Sequence, residues 1–171
     1  MLNDAQFQSK KINHDIYYDF PDYRLYKNWV YFRNRNGKFE LKIGDDEMAG
    51  VCEEIEDDEE IKKYFKTNKP LVEFIADNLI PTIEWKCKRA KYKIEEFTID
   101  IDELDFGYKC VEVELLVKDK SSIEEARSKI IKLAKSFGWD TTEVPPKRIE
   151  YFRIVKPEIY KDLYKDKDTF F

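Results

Sequence analysis

Polar and apolar positions alternate along much of this chain, and short aromatic-rich runs are cut by turn residues. His14 to Phe20 (HDIYYDF) is rich in Tyr and Ile and predicts a strand, which Pro21-Asp22-Tyr23 ends with a turn. Trp29 to Arg35 and Lys38 to Ile43 predict two more strands. The Asn36-Gly37 pair between them is a hairpin signal, because both residue types tolerate the positive φ of a tight turn. Met48 to Glu56 predicts a fourth strand. Asp57-Asp58-Glu59-Glu60 then places acids ahead of Ile61, Tyr64 and Phe65, which share one helical face, so a helix starts there. A second helix follows Pro70 through Leu71, Phe74 and Ile75.

After Pro81 the strand pattern returns. Ile83 to Ile94, Glu96 to Asp102 and Tyr108 to Lys118 are the candidates, with Asp105-Phe106-Gly107 turning between the last two. Ser121-Ser122-Ile123-Glu124 predicts a capping box that opens a helix running to about Phe137 and stopping at Gly138. Pro145-Pro146 opens a last helical region through Ile149, Phe152 and Ile154. Pro157 interrupts it, and Ile159 to Tyr164 adds a short helix. No repeat or linker divides the chain, so one domain over 1–171 is expected, with 167–171 a loose tail.

Composition narrows the function classes. Aromatic residues are 15% of the 171, enough large side chains to close one core. Acids number 36 and bases 31, for a net charge of −5, which gives no global attraction to nucleic acid or an acidic membrane. Neither is expected as a partner. Cys52, Cys87 and Cys110 are odd in number and far apart, so a disulfide framework is not expected, and the start of the chain lacks a signal peptide's apolar run. No apolar stretch approaches the roughly 20 residues of a membrane span. A reducing, cytoplasmic location is the expectation.

The chemistry has few classical options. His14 is the sole histidine and sits beside no nucleophile motif, and no glycine-rich phosphate loop exists. Any phosphate must therefore be held by cationic side chains. Residues two apart on a strand share a face, roughly 6–7 Å apart along it. Arg33 and Arg35 form one such cationic pair, with Lys42 on the adjacent hairpin strand. Asp100 with Asp102, and Glu112 with Glu114, are acidic pairs on strands joined by a short turn. Two readings stand side by side. The pairs could be the solvated face of an antiparallel sheet. Alternatively, a closed barrel turns them inward, where crowded acids repel one another until a divalent cation relieves them, and the cations face a phosphate. Carboxylates without His or Cys favour Mg²⁺ or Mn²⁺ over zinc.

Several blocks occur together in one order: Asp15-Ile16-Tyr17-Tyr18-Asp19, Phe32-Arg33-Asn34-Arg35, Phe39-Glu40-Leu41-Lys42, Phe97-Thr98-Ile99-Asp100-Ile101-Asp102, Asp105-Phe106-Gly107-Tyr108, Val111-Glu112-Val113-Glu114 and Pro146-Lys147-Arg148-Ile149-Glu150-Tyr151. On these blocks, from about His14 to Leu163, the chain resembles the CYTH, or triphosphate tunnel metalloenzyme, superfamily, and within it the thiamine triphosphatases. The resemblance implies an α+β fold: an antiparallel β-barrel of eight strands forming a triphosphate tunnel, with flanking helices. It implies Asp100, Glu112 and Glu114 as metal carboxylates, with Glu54 as a further inward acid, and Mg²⁺ or Mn²⁺ as the cofactor. Arg33, Arg35, Lys42, Arg89 and Lys147 are the implied phosphate-binding residues, of which Lys42, Arg89 and Lys147 are also expected to act in catalysis. Tyr31 stands where thiamine triphosphatases tend to carry a tryptophan that packs on the organic part of the substrate.

The implied activity is metal-dependent hydrolysis of an organic triphosphate, thiamine triphosphate to thiamine diphosphate and phosphate. Inorganic triphosphatase, RNA 5′-triphosphatase and class IV adenylate cyclase activities share the tunnel. The family's first strand carries Glu-x-Glu-x-Lys, whereas residues 4–11 read DAQFQSKK. The expectation is therefore a barrel lacking its first strand, either because coding sequence lies upstream or because this form has lost one wall. Triphosphate binding without turnover is then an alternative function. The expected state is a monomer, with an edge-mediated dimer as the alternative.

Overall fold

The computed structural model describes residues 5–44, 50–139 and 145–164. Seven strands form one antiparallel sheet: β1 (Gln6–Asp19), β2 (Val30–Arg35), β3 (Lys38–Gly44), β4 (Cys52–Ile55), β5 (Ile80–Ile94), β6 (Phe97–Leu104) and β7 (Lys109–Glu114). Their order is β4-β3-β2-β1-β5-β6-β7, so β4 and β7 are the two edges. The sheet curls into a half-barrel, as expected for a tunnel fold without its first strand. The helices are α1 (Arg24–Lys27), α2 (Asp58–Phe65), α3 (Leu71–Asn78), α4 (Ile123–Ser136), α5 (Lys147–Val155) and α6 (Pro157–Tyr164). Among the described residues no helix is long and apolar enough to cross a membrane.

The sheet is covered on both faces. Phe32 and Leu41, wholly buried, point to one face of β2 and β3 and meet Ile61 of α2 and Leu71 and Phe74 of α3. The opposite face carries Tyr17, Trp85, Cys87 and Leu104, which pack on Tyr151 and Phe152 of α5, with Ile159 and Leu163 of α6 behind them. Period-2 alternation thus sends one set of side chains to α2 and α3 and the other into the half-barrel. Helix α5 fills part of that inner face and leaves the rest to the charged residues.

Local signals account for several joints. Asn36 and Gly37 both take positive φ, 51° and 89°, and close the β2–β3 hairpin as their identities predict. Asp57 caps α2 by accepting the N–H of Glu60 at 3.0 Å. Gly138, at φ 70°, follows the end of α4. The wholly buried Asp19 accepts the N–H groups of Phe20, Leu25 and Tyr26 at 2.6–2.9 Å, and so anchors α1, a turn of helix the sequence patterning did not single out.

Other expectations are corrected. β1 begins at Gln6, eight residues before His14, because Gln6 to Asn13 pair with the far half of β5 from Lys93 to Cys87. That stretch is mostly exposed, so no apolar alternation marks it. β5 starts at Ile80 rather than Ile83, and β6 runs on to Leu104. β7 ends at Glu114 instead of Lys118; Leu116, 95% exposed, has left the sheet. The capping box does not form: both serine hydroxyls donate to Asp119 instead, and Ser122 caps α4 without a side-chain bond. Part of the expected strand from Met48, and the tail at 167–171, lie outside the described residues.

Candidate active site

Strand register assembles the first wall. On β2, Tyr31, Arg33 and Arg35 share one face, and each is aligned with a polar neighbour: Tyr31 with Lys42, Arg33 with Glu40 and Tyr17, Arg35 with Asp15. Lys42 in turn aligns with Glu54 on β4. Arg35 closes on Asp15 with two parallel bonds, Nε to Oδ1 at 2.6 Å and Nη2 to Oδ2 at 2.7 Å. Trp85 donates to Asp15 Oδ2 at 3.0 Å. Arg33 donates from Nε to Glu40 at 2.7 Å and from Nη1 to the Tyr17 hydroxyl at 2.9 Å. Lys42 Nζ meets Glu54 Oε1 at 2.9 Å. A guanidinium carries five N–H donors, so both arginines keep donors beyond these bonds.

The second wall comes from β5, β6 and β7, whose register gives three rows: Arg89–Asp102–Cys110, Lys91–Asp100–Glu112 and Lys93–Thr98–Glu114. Arg89 bonds Asp102 through Nε at 2.8 Å and Nη2 at 2.6 Å, Asp100 through Nη1 at 2.5 Å, and Glu112 through Nη2 at 2.9 Å. Lys147 joins the same group from the first turn of α5, reaching Asp102 at 2.7 Å and Glu112 at 2.6 Å. A lysine at a helix N-terminus opposes the helix dipole. Here the two carboxylates outweigh that conflict, so tertiary structure holds Lys147 where local preference would not.

These contacts set the protonation of the site. Burial alone would raise the Asp102 pKa, but the Arg89 and Lys147 contacts outweigh it and hold the carboxyl at about 2. Burial likewise opposes ionisation of Glu112, and Lys147 and Arg89 turn the net shift downward. Asp15 is also lowered, burial being overcome by Arg35 and Arg33. Lys147 loses by burial and gains more from Glu112, so its pKa is raised. All of these groups are therefore charged at neutral pH.

Asp100, Glu112 and Glu114 bring one oxygen each within 4.8 Å of one another. Asp100 Oδ1 is fully buried and has no hydrogen bond; Lys91 Nζ stands 2.9 Å from it but bonds the other oxygen, at 3.0 Å. Three carboxylates, with an Asp100 oxygen buried and free of hydrogen bonds among them, suit a hard divalent cation such as Mg²⁺ or Mn²⁺. Glu54 is not brought to this group. It sits on β4, at the other edge of the sheet, and its charge is taken up by Lys42, with Arg33 3.9 Å away.

Both walls and the start of α5 line one cavity of about 440 Å³, reached by Arg33, Arg35, Lys42, Arg89, Glu112 and Lys147 among others. Thus the expected phosphate-binding residues converge on one space, together with Glu112 and Glu114. Sequence reasoning missed the anchoring partners. Asp102, fully buried, orients Arg89 and Lys147; Asp15 orients Arg35; Lys91 holds Asp100. Asp102 was visible as the i+2 companion of Asp100, but spacing alone does not say which carboxylate takes the arginine. Tyr31 lines the cavity, yet its ring is already covered by the Arg148 guanidinium, 3.5 Å from the ring centre.

Comparison with known proteins agrees with this architecture. The CYTH domain profile matches residues 2–145. Human thiamine-triphosphatase is 35% identical over 69 residues, a match spanning 40% of this chain and 30% of that protein's length. The PH1819 protein of Pyrococcus horikoshii has a similar structure, at 27% identity and a TM-score of 0.59, with 81% of each chain covered. HpAC1 of Hippeastrum, described as an adenylyl cyclase candidate with a dominant triphosphatase activity, shares the fold at 16% identity and a TM-score of 0.55, covering 86% of this chain and 84% of its own. With the seven-stranded half-barrel, its facing charged walls and a family profile spanning most of its length, this chain belongs to the CYTH domain family.

Proposed function

We propose that this protein hydrolyses a triphosphate with the help of a divalent cation. One observation carries the reading: Glu112 and Glu114, which form a carboxylate trio with the buried Asp100 behind them, line one cavity of about 440 Å³ together with a cationic wall, Arg33, Arg35 and Lys42. That is a common size for a small-molecule site. Thiamine triphosphate is the organic candidate named by the human relative, and inorganic triphosphate is the unsubstituted one.

The residues divide the work. Arg33 and Arg35, pre-oriented by Glu40 and Asp15, direct their remaining N–H groups at phosphate oxygens, and Lys42 adds a mobile charge beside them. Asp100, Glu112 and Glu114 would hold Mg²⁺ or Mn²⁺, which supplies charge neutralisation at the phosphate oxygens. Arg89 and Lys147, fixed by Asp102, stand beside that trio and stabilise negative charge on the oxygens of the transferring and leaving phosphates. Water is the acceptor, so no side-chain nucleophile is required. Lys42, Arg89 and Lys147 are thus the catalytic cations.

Phosphate release from thiamine triphosphate, inorganic triphosphate and ATP, with Mg²⁺ or Mn²⁺, tests the proposal. Turnover of at least one of them, abolished by chelator, is expected; no release from any of them removes it. A second reading is metal-free triphosphate binding without turnover. It is favoured by the ion pairs that already neutralise Asp100 and Glu112 through Arg89, Lys91 and Lys147. Calorimetric binding in chelator, with no hydrolysis in metal, would select it.

A further inference from the structure

The cavity lining is of two chemical kinds. One is the charged side chains of the two walls. The other is Trp29, Tyr31, Tyr164 and Pro146, on which a flat organic group would stack. Arg148 also lines the cavity, beside Tyr31. Its guanidinium lies 3.5 Å from the centre of the Tyr31 ring, within the range of a strong cation–π contact.

Arg148 differs from every other cation of the cavity. Arg33 is paired with Glu40, Arg35 with Asp15, Lys42 with Glu54, and Arg89 and Lys147 with Asp102 and Glu112. Among the described residues Arg148 has no carboxylate partner; its neighbours are the phenols of Tyr31, Tyr17 and Tyr26. Burial alone would weaken its charge, and the tyrosine contacts more than restore it. A cation with no carboxylate partner among the described residues therefore lies against Tyr31, where the substituent of an organic triphosphate would rest. Charges inside a low-dielectric cavity act with less screening than in water.

We propose that Arg148 is a specificity-determining residue that rejects a cationic organic group and favours a triphosphate whose far end is anionic, making inorganic triphosphate the preferred substrate over thiamine triphosphate. The inference rests on the triphosphate-hydrolase reading and narrows it. A thiazolium ring would meet both a covered tyrosine face and a like charge. An added anionic oxygen would instead meet the free donors of the guanidinium fork. A neutral nucleobase falls between, since a guanidinium plane can stack on it.

The test is kcat/KM for inorganic triphosphate, ATP and thiamine triphosphate, in wild type and in Arg148→Leu, Arg148→Gln and Arg148→Lys. Wild type should prefer inorganic triphosphate to thiamine triphosphate by about tenfold or more, and Arg148→Leu should shrink that ratio about tenfold, or about 1.4 kcal/mol, chiefly through KM. Arg148→Lys should keep the preference, because charge rather than shape sets it. ATP separates bulk from charge: its ratio to thiamine triphosphate should also fall in Arg148→Leu. If Arg148→Leu does not fold, as judged by thermal unfolding, Arg148→Gln reads the same ratio. An unchanged ratio in the neutral variant overturns the role of Arg148 while leaving the hydrolase reading intact. No turnover by wild type overturns the hydrolase reading. The ratio of calorimetric affinities for inorganic and thiamine triphosphate, with and without Arg148, then decides the role of Arg148 separately.

Discussion

Arg89 closes on Asp102 with two parallel bonds, Nε to Oδ1 at 2.8 Å and Nη2 to Oδ2 at 2.6 Å, in the middle of a wall that also presents Asp100 and Glu112. The pair joins β5 to β6 and, through Lys147, ties α5 to both. Asp102 does not line the cavity; it acts by positioning two cations that do. Asp102→Ala takes from Arg89 and Lys147 one of their two shared carboxylates, Glu112 being the other, and should cost about 1.5–3 kcal/mol of stability. In a double-mutant cycle with Arg89→Met, the coupling should be about 2 kcal/mol. Urea denaturation of the four proteins checks this, and additive effects would mean that the pair is not coupled.

Asp15 gives a pH prediction with a defined sign. It faces Arg33, Arg35 and the Trp85 ring N–H, and its folded pKa is below the ordinary carboxylate value of about 3.9. A lowered pKa contributes stability that is fully present above the unfolded value and is lost as pH falls through the folded one. Asp15→Asn should therefore be less stable than wild type at pH 7 by about 1.5–3 kcal/mol, the loss of the charge-assisted bonds to Arg35, while Arg33 keeps Glu40. The gap should narrow steadily below about pH 4. Thermal melts from pH 7 to pH 2 would show this convergence, and parallel curves would contradict it.

Glu112 and Glu114 should behave differently, although crowding of like charges alone would treat them as equivalent. Glu112 receives bonds from Lys147 and Arg89, so Glu112→Gln should lose about 1.5–3 kcal/mol even in chelator. Glu114 is exposed and belongs to the carboxylate trio. Glu114→Gln should melt like wild type in chelator and lose most of the Tm increase that Mn²⁺ gives to wild type. Thermal shift with and without metal separates the two; an undiminished Mn²⁺ effect in Glu114→Gln would exclude it as a ligand.

Lys42 offers a phosphate-contact test with little structural cost. Its ion pair with Glu54 is partly exposed and worth at most about 1 kcal/mol. Lys42→Ala should therefore fold normally and raise KM for a triphosphate about tenfold, the loss of one charge-assisted contact. Steady-state kinetics beside a melting curve checks it. An unchanged KM would show that Lys42 serves only Glu54.

Most of the architecture was legible along the chain because it depends on short-range rules. Alternation in β2, β3, β6 and β7, the Asn36-Gly37 turn, the acids before Ile61 and the glycine after Phe137 each act within a few residues, and each appears in the structure. The resemblance of the blocks around Arg33, Asp100 and Glu112 added the expected facing of the walls. What the sequence alone determined is which side chains share a strand face, since the period of two is set by the backbone. Only the tertiary structure decided which of them meet across strands. It extended β1 back to Gln6 by pairing a polar stretch with β5, drew both serines to Asp119 instead of a capping box, gave Glu54 to Lys42, and laid Arg148 over Tyr31. Those outcomes depend on register and curl between segments far apart in the chain, which no local window contains.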